Sequence, residues 1–220
     1  NKYGDERRTK INMFSGEFNV EDFYPDDEMI ITISHLGYIK RVAMDTYKTQ
    51  KRGGKGIIGM THKEEDFTEN VIVADSHSHL MLFSNTGKVQ VRKAYQIPEA
   101  SRTAKGTNIV NVMDLEAGEK VTAMVSVDSL EGEDYLVMVT KNGVVKRTPM
   151  AEFSYQRKGG KIAINLDEGD ELLFVARTNG GSDILIVTHD GLAARFNEDK
   201  ISIVGRTARG VRGIKLRDGD

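Results

Sequence analysis

The residues best suited to chemistry in this 220-residue chain are lysines and arginines set beside glycines. Four stretches carry them: Gln50-Lys51-Arg52-Gly53-Gly54-Lys55-Gly56, Ser101-Arg102-Thr103-Ala104-Lys105-Gly106, Gln156-Arg157-Lys158-Gly159-Gly160-Lys161, and Gly205-Arg206-Thr207-Ala208-Arg209-Gly210-Val211-Arg212-Gly213. Such loops suit a row of phosphates, because glycine lets the backbone approach closely and its N–H groups donate beside the cations. The first stretch is not a P-loop: it lacks the Gly-x-x-x-x-Gly-Lys-Ser/Thr order and follows no strand–helix pattern. Other chemistries find less support. The chain has no cysteine, which removes thiol catalysis, disulfides and Cys-bearing zinc sites. His77 and His79 stand at strand spacing, but no third ligand accompanies them, and they read as an exposed edge rather than a metal pair. There is no Gly-x-Ser-x-Gly nucleophile turn. The acidic runs Glu64-Glu65-Asp66 and Glu131-Gly132-Glu133-Asp134 read as solvated faces at turns.

What must position the basic loops is a repeated β unit. Four segments share one plan, an apolar run, a glycine turn and a second strand with basic residues: Ile30–Arg41, Leu80–Arg92, Leu136–Arg147 and Ile184–Arg195. Their turn glycines are Gly37, Gly87, Gly143 and Gly191, and Asn142-Gly143 and Asp190-Gly191 are strong hairpin signals. A second marker keeps the same phase: Leu115-Glu116-Ala117-Gly118-Glu119, Leu166-Asp167-Glu168-Gly169-Asp170 and Leu216-Arg217-Asp218-Gly219-Asp220. A period near 50 built of short strands implies an all-β, propeller-like array of four-stranded blades. A β-sandwich with regular strand spacing is the competing arrangement. Repeats are expected near 28–75, 76–127, 132–176 and 180–220, about four blades of a possibly incomplete array within 21–220. Residues 1–20 read as a charged connector from an upstream domain. No apolar run approaches the roughly 18 residues of a membrane span.

Charge is sorted in phase with the repeat. From hairpin turn to glycine loop (35–56, 84–106, 140–161 and 188–213) there are 22 basic and 6 acidic residues, while the rest of the chain holds 9 and 27. Arrayed blades turn that sorting into a basic rim, the surface a nucleic-acid backbone needs. The strand positions Lys40, Arg41, Arg92, Lys93, Lys146, Arg147 and Arg195 are therefore counted as phosphate contacts beside the loop residues. Of the aromatics near the loops, Tyr47 and Phe153 stand three residues before Gln50 and Gln156, where packing of hairpin against loop is expected rather than base stacking.

Gln50–Gly56 resembles the gyrase A box, Gln-Arg-Arg-Gly-Gly-Lys-Gly, departing only at Lys51, where lysine keeps the charge but loses the guanidinium fork. Gln156–Lys161 resembles a degenerate second copy ending in Ile162. Tyr3–Thr9 and Tyr95–Arg102 also resemble the C-terminal domain of the bacterial DNA gyrase A subunit, in the type IIA topoisomerase family. That resemblance implies a β-pinwheel, whose blades exchange strands, and a rim that wraps double-stranded DNA so that the parent ATP-dependent enzyme can introduce negative supercoils. It implies a non-catalytic, cytoplasmic segment with no cofactor of its own, ATP and magnesium being used elsewhere. It also implies the gyrase B subunit, together with a second copy of the A subunit, as partners, with no membrane. The competing readings are a protein-interaction propeller that binds an acidic partner and the corresponding domain of the topoisomerase IV A subunit.

Overall fold

The computed structural model of the chain describes residues 9, 19–47, 50–155, 157 and 159–220. The connector expected over 1–20 lies outside them save for Thr9, Asn19 and Val20. The strands in chain order are β1 Glu28–Ser34, β2 Tyr38–Ala43, β3 Thr68–Asp75, β4 His79–Ser84, β5 Lys88–Lys93, β6 Thr107–Asn108, β7 Val121–Val127, β8 Tyr135–Thr140, β9 Val144–Pro149, β10 Lys161–Ile162, β11 Leu172–Thr178, β12 Asp183–Val187, β13 Ala193–Asn197 and β14 Val211–Arg212. Among the described residues the only helices are short 3₁₀ turns.

Each apolar run is the first strand of an antiparallel hairpin: β1–β2, β4–β5, β8–β9 and β12–β13. All four turns close with the glycine N–H donating to the carbonyl three residues back, on Ser34, Ser84, Thr140 and Thr188. The glycines have φ between 78° and 82°, whereas Asn142 and Asp190 do not have positive φ. The turn is thus of the three-residue kind that ends in a left-handed glycine, not the Asn-Gly type expected from sequence. At Gly87 a side chain is excluded twice over, by φ and by the Ile164 carbonyl, 2.5 Å from where its Cβ would lie.

The hairpins grow into sheets of order β3-β1-β2-β6, β10-β5-β4-β7 and β11-β8-β9-β14, while β12-β13 remains two-stranded. The outer long strand follows its own hairpin, but the two-residue strand on the other edge comes from beyond the next hairpin. Neighbouring repeats therefore exchange strands. The sheets pack face to face, which makes the central strands apolar on both sides. In β4, Leu80, Met81, Leu82 and Phe83 are all fully buried. Leu80 and Leu82 join Ile31, Ile33 and Ile39 of the first blade, while Met81 and Phe83 join Leu136, Met138 and Phe153 of the third.

A carboxylate clamps every hairpin turn. Glu119 accepts from Ser84 Oγ at 2.5 Å and Thr86 Oγ1 at 2.6 Å. Asp170 accepts from Thr140 Oγ1 at 2.6 Å and Asn142 N at 2.9 Å. Asp66 accepts from Leu36 N at 2.9 Å, and Asp220 from Asp190 N at 2.8 Å. Three of these acids end the Leu-x-x-Gly marker series, so that marker and the turn glycine are two halves of one lock. Asp66, read from sequence as part of a solvated face, is the fourth. Burial alone would raise the Glu119 carboxyl, but the Glu116 N–H and the two hydroxyls outweigh it and hold it below the usual range. The Asp190 N–H does the same for Asp220.

Because a depressed carboxyl binds protons less readily folded than unfolded, the Glu119 and Asp220 clamps stabilise above the ordinary carboxylate pKa and lose that stabilisation as pH falls below it. Glu119→Ala should lower the unfolding free energy by about 2 kcal/mol at neutral pH and flatten part of the acid-side loss. Urea melts from pH 7 down to pH 3 measure both.

Candidate nucleic-acid interface

The first basic loop is shaped by one of its own side chains. Gln50 Nε2 donates to the Gly56 carbonyl at 3.2 Å and its Oε1 accepts the Gly56 N–H at 2.9 Å, so the amide pairs with the far end of the loop as a neighbouring strand would. Inside that staple, Gly54 N–H closes a turn onto the Lys51 carbonyl at 3.1 Å. Gly53 supplies φ of +82°, and a Cβ on Gly54 would stand 2.5 Å from Gln50 Oε1. The glycines and the glutamine therefore make the shape. Lys51, Arg52 and Lys55 are left exposed, with no hydrogen-bond or ion-pair partner among the described residues.

The basic residues on the hairpin strands are placed differently: burial of Lys40, Lys146 and Arg147 corrects their reading as phosphate contacts, while Arg41, Arg92 and Lys93 are half-buried and already have partners within the chain. Lys40 and Lys146 are fully buried. Lys40 Nζ donates to the carbonyls of Gly59 at 2.9 Å, Ser101 at 3.1 Å, Arg102 at 2.5 Å and Ala104 at 2.8 Å. Lys146 Nζ donates to Ala163 O at 2.6 Å and to Arg206 O. No phosphate can reach either ammonium. Arg41 reaches back to Ile97 O at 2.8 Å and pairs with Glu99 at 3.0 Å. Arg147 lies over the Tyr135 ring and 3.9 Å from the buried Glu198. Arg92 donates to Val112 O, Val91 O and Gln90 Oε1. Lys93 pairs with Glu21 at 2.6 Å and donates to His77 O. The β4–β5 ladder has no bulge, so Arg92 lies on the Gln90 face of its strand. Only Arg195 of the strand set is well exposed, and it pairs with Asp183 at 2.5 Å.

On the other loops, Arg157 and Arg212 are exposed and have no partner among the described residues. Lys105 is half-buried over the Tyr38 ring, and Lys161 over that of Tyr155. Those faces are covered by cations, which argues against base stacking. Arg209 pairs with Asp167 at 2.6 Å. Arg102 and Arg206 each donate to a carbonyl of the preceding loop, on Ile58 and Ile162. Gln156 and Lys158 lie outside the described residues. Phe153 is buried in the core, as the packing reading expects. His77 meets the Tyr24 carbonyl at 2.8 Å and His79 the Asp128 carbonyl at 3.3 Å.

Repeated antiparallel hairpins completed by exchanged strands define a propeller-like blade array, and among the described residues Lys51, Arg52, Lys55, Arg157 and Arg212 are exposed cations whose side chains have no partner. The family described as DNA gyrase C-terminal domain, beta-propeller, matches residues 28–75, 78–128, 134–179 and 182–220, and the chain belongs to it. The DNA gyrase A subunit of Clostridium acetobutylicum is 48% identical over 96% of this chain and 26% of its own length. That of Staphylococcus epidermidis is 46% identical over 100% of the chain and 25% of its own length. The chain thus spans about a quarter of these relatives. Among solved structures, the C-terminal domain of DNA topoisomerase IV aligns at TM-score 0.73 and 28% identity, over 89% of this chain and 59% of that one. A DNA gyrase A C-terminal domain aligns at TM-score 0.71 and 25% identity, over 88% and 62%.

Two outcomes follow from the burial of the strand cations. Among the described residues Arg147 is the only cation paired with the buried Glu198, which also accepts hydrogen bonds from Thr178 and Ser182. Arg147→Ala takes that cation away but leaves those bonds, and should cost about 2 kcal/mol of stability while leaving the salt dependence of duplex binding unchanged. Denaturant melts and salt titrations of the same variant decide this. Burial, helped by Arg206 and opposed by Glu152, pulls Lys146 down to about 8 from 10.5. A neutral amine still has donors for both carbonyls, so the clasp survives deprotonation and only the cost of burying charge is relieved. The unfolded chain then binds more protons between about pH 8 and 10.5, and stability rises across that window. Urea melts of the wild type should gain on Lys146→Met between pH 7.5 and 10; a flat difference would assign the ammonium an ordinary pKa.

Proposed function

We propose that this chain wraps duplex DNA around its basic rim without sequence preference, and takes no catalytic step itself. The observation that carries the reading is the Gln50–Gly56 loop, where Gln50, Gly54 and Gly56 are satisfied internally and the three cations have no side-chain partner among the described residues. A loop built to stabilise the fold would spend its charges on carbonyls or carboxylates, as Lys40 and Arg41 do. In this reading the parent protein is a cytoplasmic type IIA topoisomerase, a gyrase of two A and two B subunits that introduces negative supercoils. ATP and magnesium belong to other segments, and this one needs no cofactor. The nearly intact box and the gyrase relatives support gyrase over topoisomerase IV.

Bending about 40 bp through half a turn costs on the order of 10 kcal/mol, so the contacts at the tightest point must be closely seated. A loop of three cations on a stapled glycine frame is suited to that task. Replacing Lys51, Arg52 and Lys55 by alanine keeps Gln50 and the glycines, hence the shape. The slope of log K against log salt should fall by about 2–3 units, binding should persist at moderate salt, and bending should be lost. Anisotropy and end-to-end fluorescence transfer on one duplex separate the two. A variant that still brings the DNA ends together as well as wild type removes the box from the mechanism, and a near-flat wild-type salt slope removes the wrapping reading.

A further inference from the structure

The position three residues after each hairpin glycine alternates along the chain: Lys40, Gln90, Lys146, Ala194. What the two lysines hold also alternates. Lys40 ties the segment just after the first basic loop, through Gly59, to the second loop, through Ser101, Arg102 and Ala104. Lys146 ties the segment just past the third loop, through Ala163, to the fourth, through Arg206. Each tie has a reciprocal strap from the later loop: Arg102 Nη1 to Ile58 O, and Arg206 Nη1 to Ile162 O at 2.9 Å. Each also has a rung beside it. Thr61 N donates to Thr103 O at 3.1 Å, and Asn165 donates to Ala208 O at 3.4 Å and Thr207 O at 2.6 Å. Ile58, Gly59, Thr61 and Arg102 recur 104 positions later as Ile162, Ala163, Asn165 and Arg206, a spacing of two blades.

The joint between the second and third loops differs. Gln90 replaces the lysine and donates to Asp114 O of its own repeat at 2.6 Å, its Oε1 accepting from Arg92. The described residues carry no side-chain bond from the second loop to the third; the blades meet there through the two-residue β10–β5 pairing, the Ala163 and Ile164 N–H groups on the Gly87 carbonyl, Thr122 on the Leu172 carbonyl, and the shared core.

We infer that Lys40 and Lys146 are positioning residues that lock the four basic loops into two rigid pairs, first with second and third with fourth. On the wrapping reading, which this inference extends, DNA then meets two two-loop stations rather than four equal ones. The physical basis is carbonyl accounting. A loop leaving a sheet edge turns carbonyls inward, where water cannot reach them. One buried ammonium accepts the burden for two loops at once, so neither can shift without stranding the partners of the other.

Hydrogen exchange on the free protein tests the pairing without DNA. Lys40→Gln introduces the residue that the second repeat carries at this position. Exchange at Gly54, Gly56, Thr61 and Ala104 should quicken together by about tenfold or more, with Gly160, Asn165 and Ala208 unchanged. Lys146→Gln should give the reverse. Glu119→Ala, which touches neither clasp, is the control for a general loss of stability. Should Lys40→Gln fail to fold, Arg102→Ala removes the strap alone and should loosen the same two loops. Loosening confined to one loop of a pair, spread equally over all four, or absent in Arg102→Ala overturns the proposal. With DNA, Lys40→Gln should lower the end-to-end transfer of saturated complexes although Lys51, Arg52 and Lys55 are intact. Paired exchange with a duplex that wild type does not bend would leave the pairing standing and sink the wrapping reading. Bending without paired exchange would do the opposite.

Discussion

The satisfaction of inward-facing carbonyls by buried cations is the interaction on which the rim depends. A loop long enough to project lysine and arginine outward has a backbone that no strand fully pairs, and its leftover carbonyls face the sheet. At Lys40 four such carbonyls from two loops converge on one ammonium. Arg41, Arg92 and Lys93 meet Ile97, Val112 and His77 in the same manner. The basic residues thus divide by depth. Lys40, Arg41, Arg92, Lys93 and Lys146 on the hairpin strands, with Arg102 and Arg206 from the loops, neutralise backbone carbonyls, while Lys51, Arg52, Lys55, Arg157 and Arg212 remain in solvent. Without the first group the second would have no fixed place.

That division was not legible in the sequence, whereas the architecture largely was. The turn glycines and the Leu-x-x-Gly markers announce a repeat because both answer to local backbone geometry, which one or two residues decide. The two-residue strands β6, β10 and β14 give no such signal. They are too short to show alternation, and their pairing is a property of the neighbouring blade. Lys40 beside Arg41, and Lys51 beside Arg52, are the same dipeptide to a count of charge. What separates them is that the first pair stands in a strand, between Ile39 and Val42, where one of two adjacent side chains must turn inward. That clue is present in the sequence, but the carbonyls that make an inward lysine tolerable come from residues 19 to 64 positions away.

Acidic residues show the complementary pattern. Asp66, Glu119, Asp170 and Asp220 are drawn into the hairpin turns, where they accept from backbone N–H groups and hydroxyls. Carboxylates thereby occupy the turn end of each blade and keep negative charge out of the basic loops. The charge sorting visible in the sequence therefore has a folding origin: acids satisfy surplus N–H groups at the hairpin turns, and cations satisfy surplus carbonyls of the loops. An excess of exposed positive charge arises where the loop cations outnumber the carbonyls and carboxylates available to them. Arg209, held by Asp167, and Arg195, held by Asp183, mark places where that excess is cancelled.

The box is where the excess is greatest, and its internal staple explains why it can be. Pairing both ends of the loop through a neutral amide, rather than through a salt bridge, closes the loop without consuming a cation. It also brings Lys51, Arg52 and Lys55 together on a short turn, which costs repulsion until an anion arrives. A polyanion relieves that repulsion, so the loop gains most from the ligand whose charge is dense and continuous. A protein carboxylate cluster offers less, since its charges sit on separate flexible side chains that must be ordered to match. On the wrapping reading, the stapled frame is what lets this loop offer three uncommitted cations to a nucleic-acid backbone.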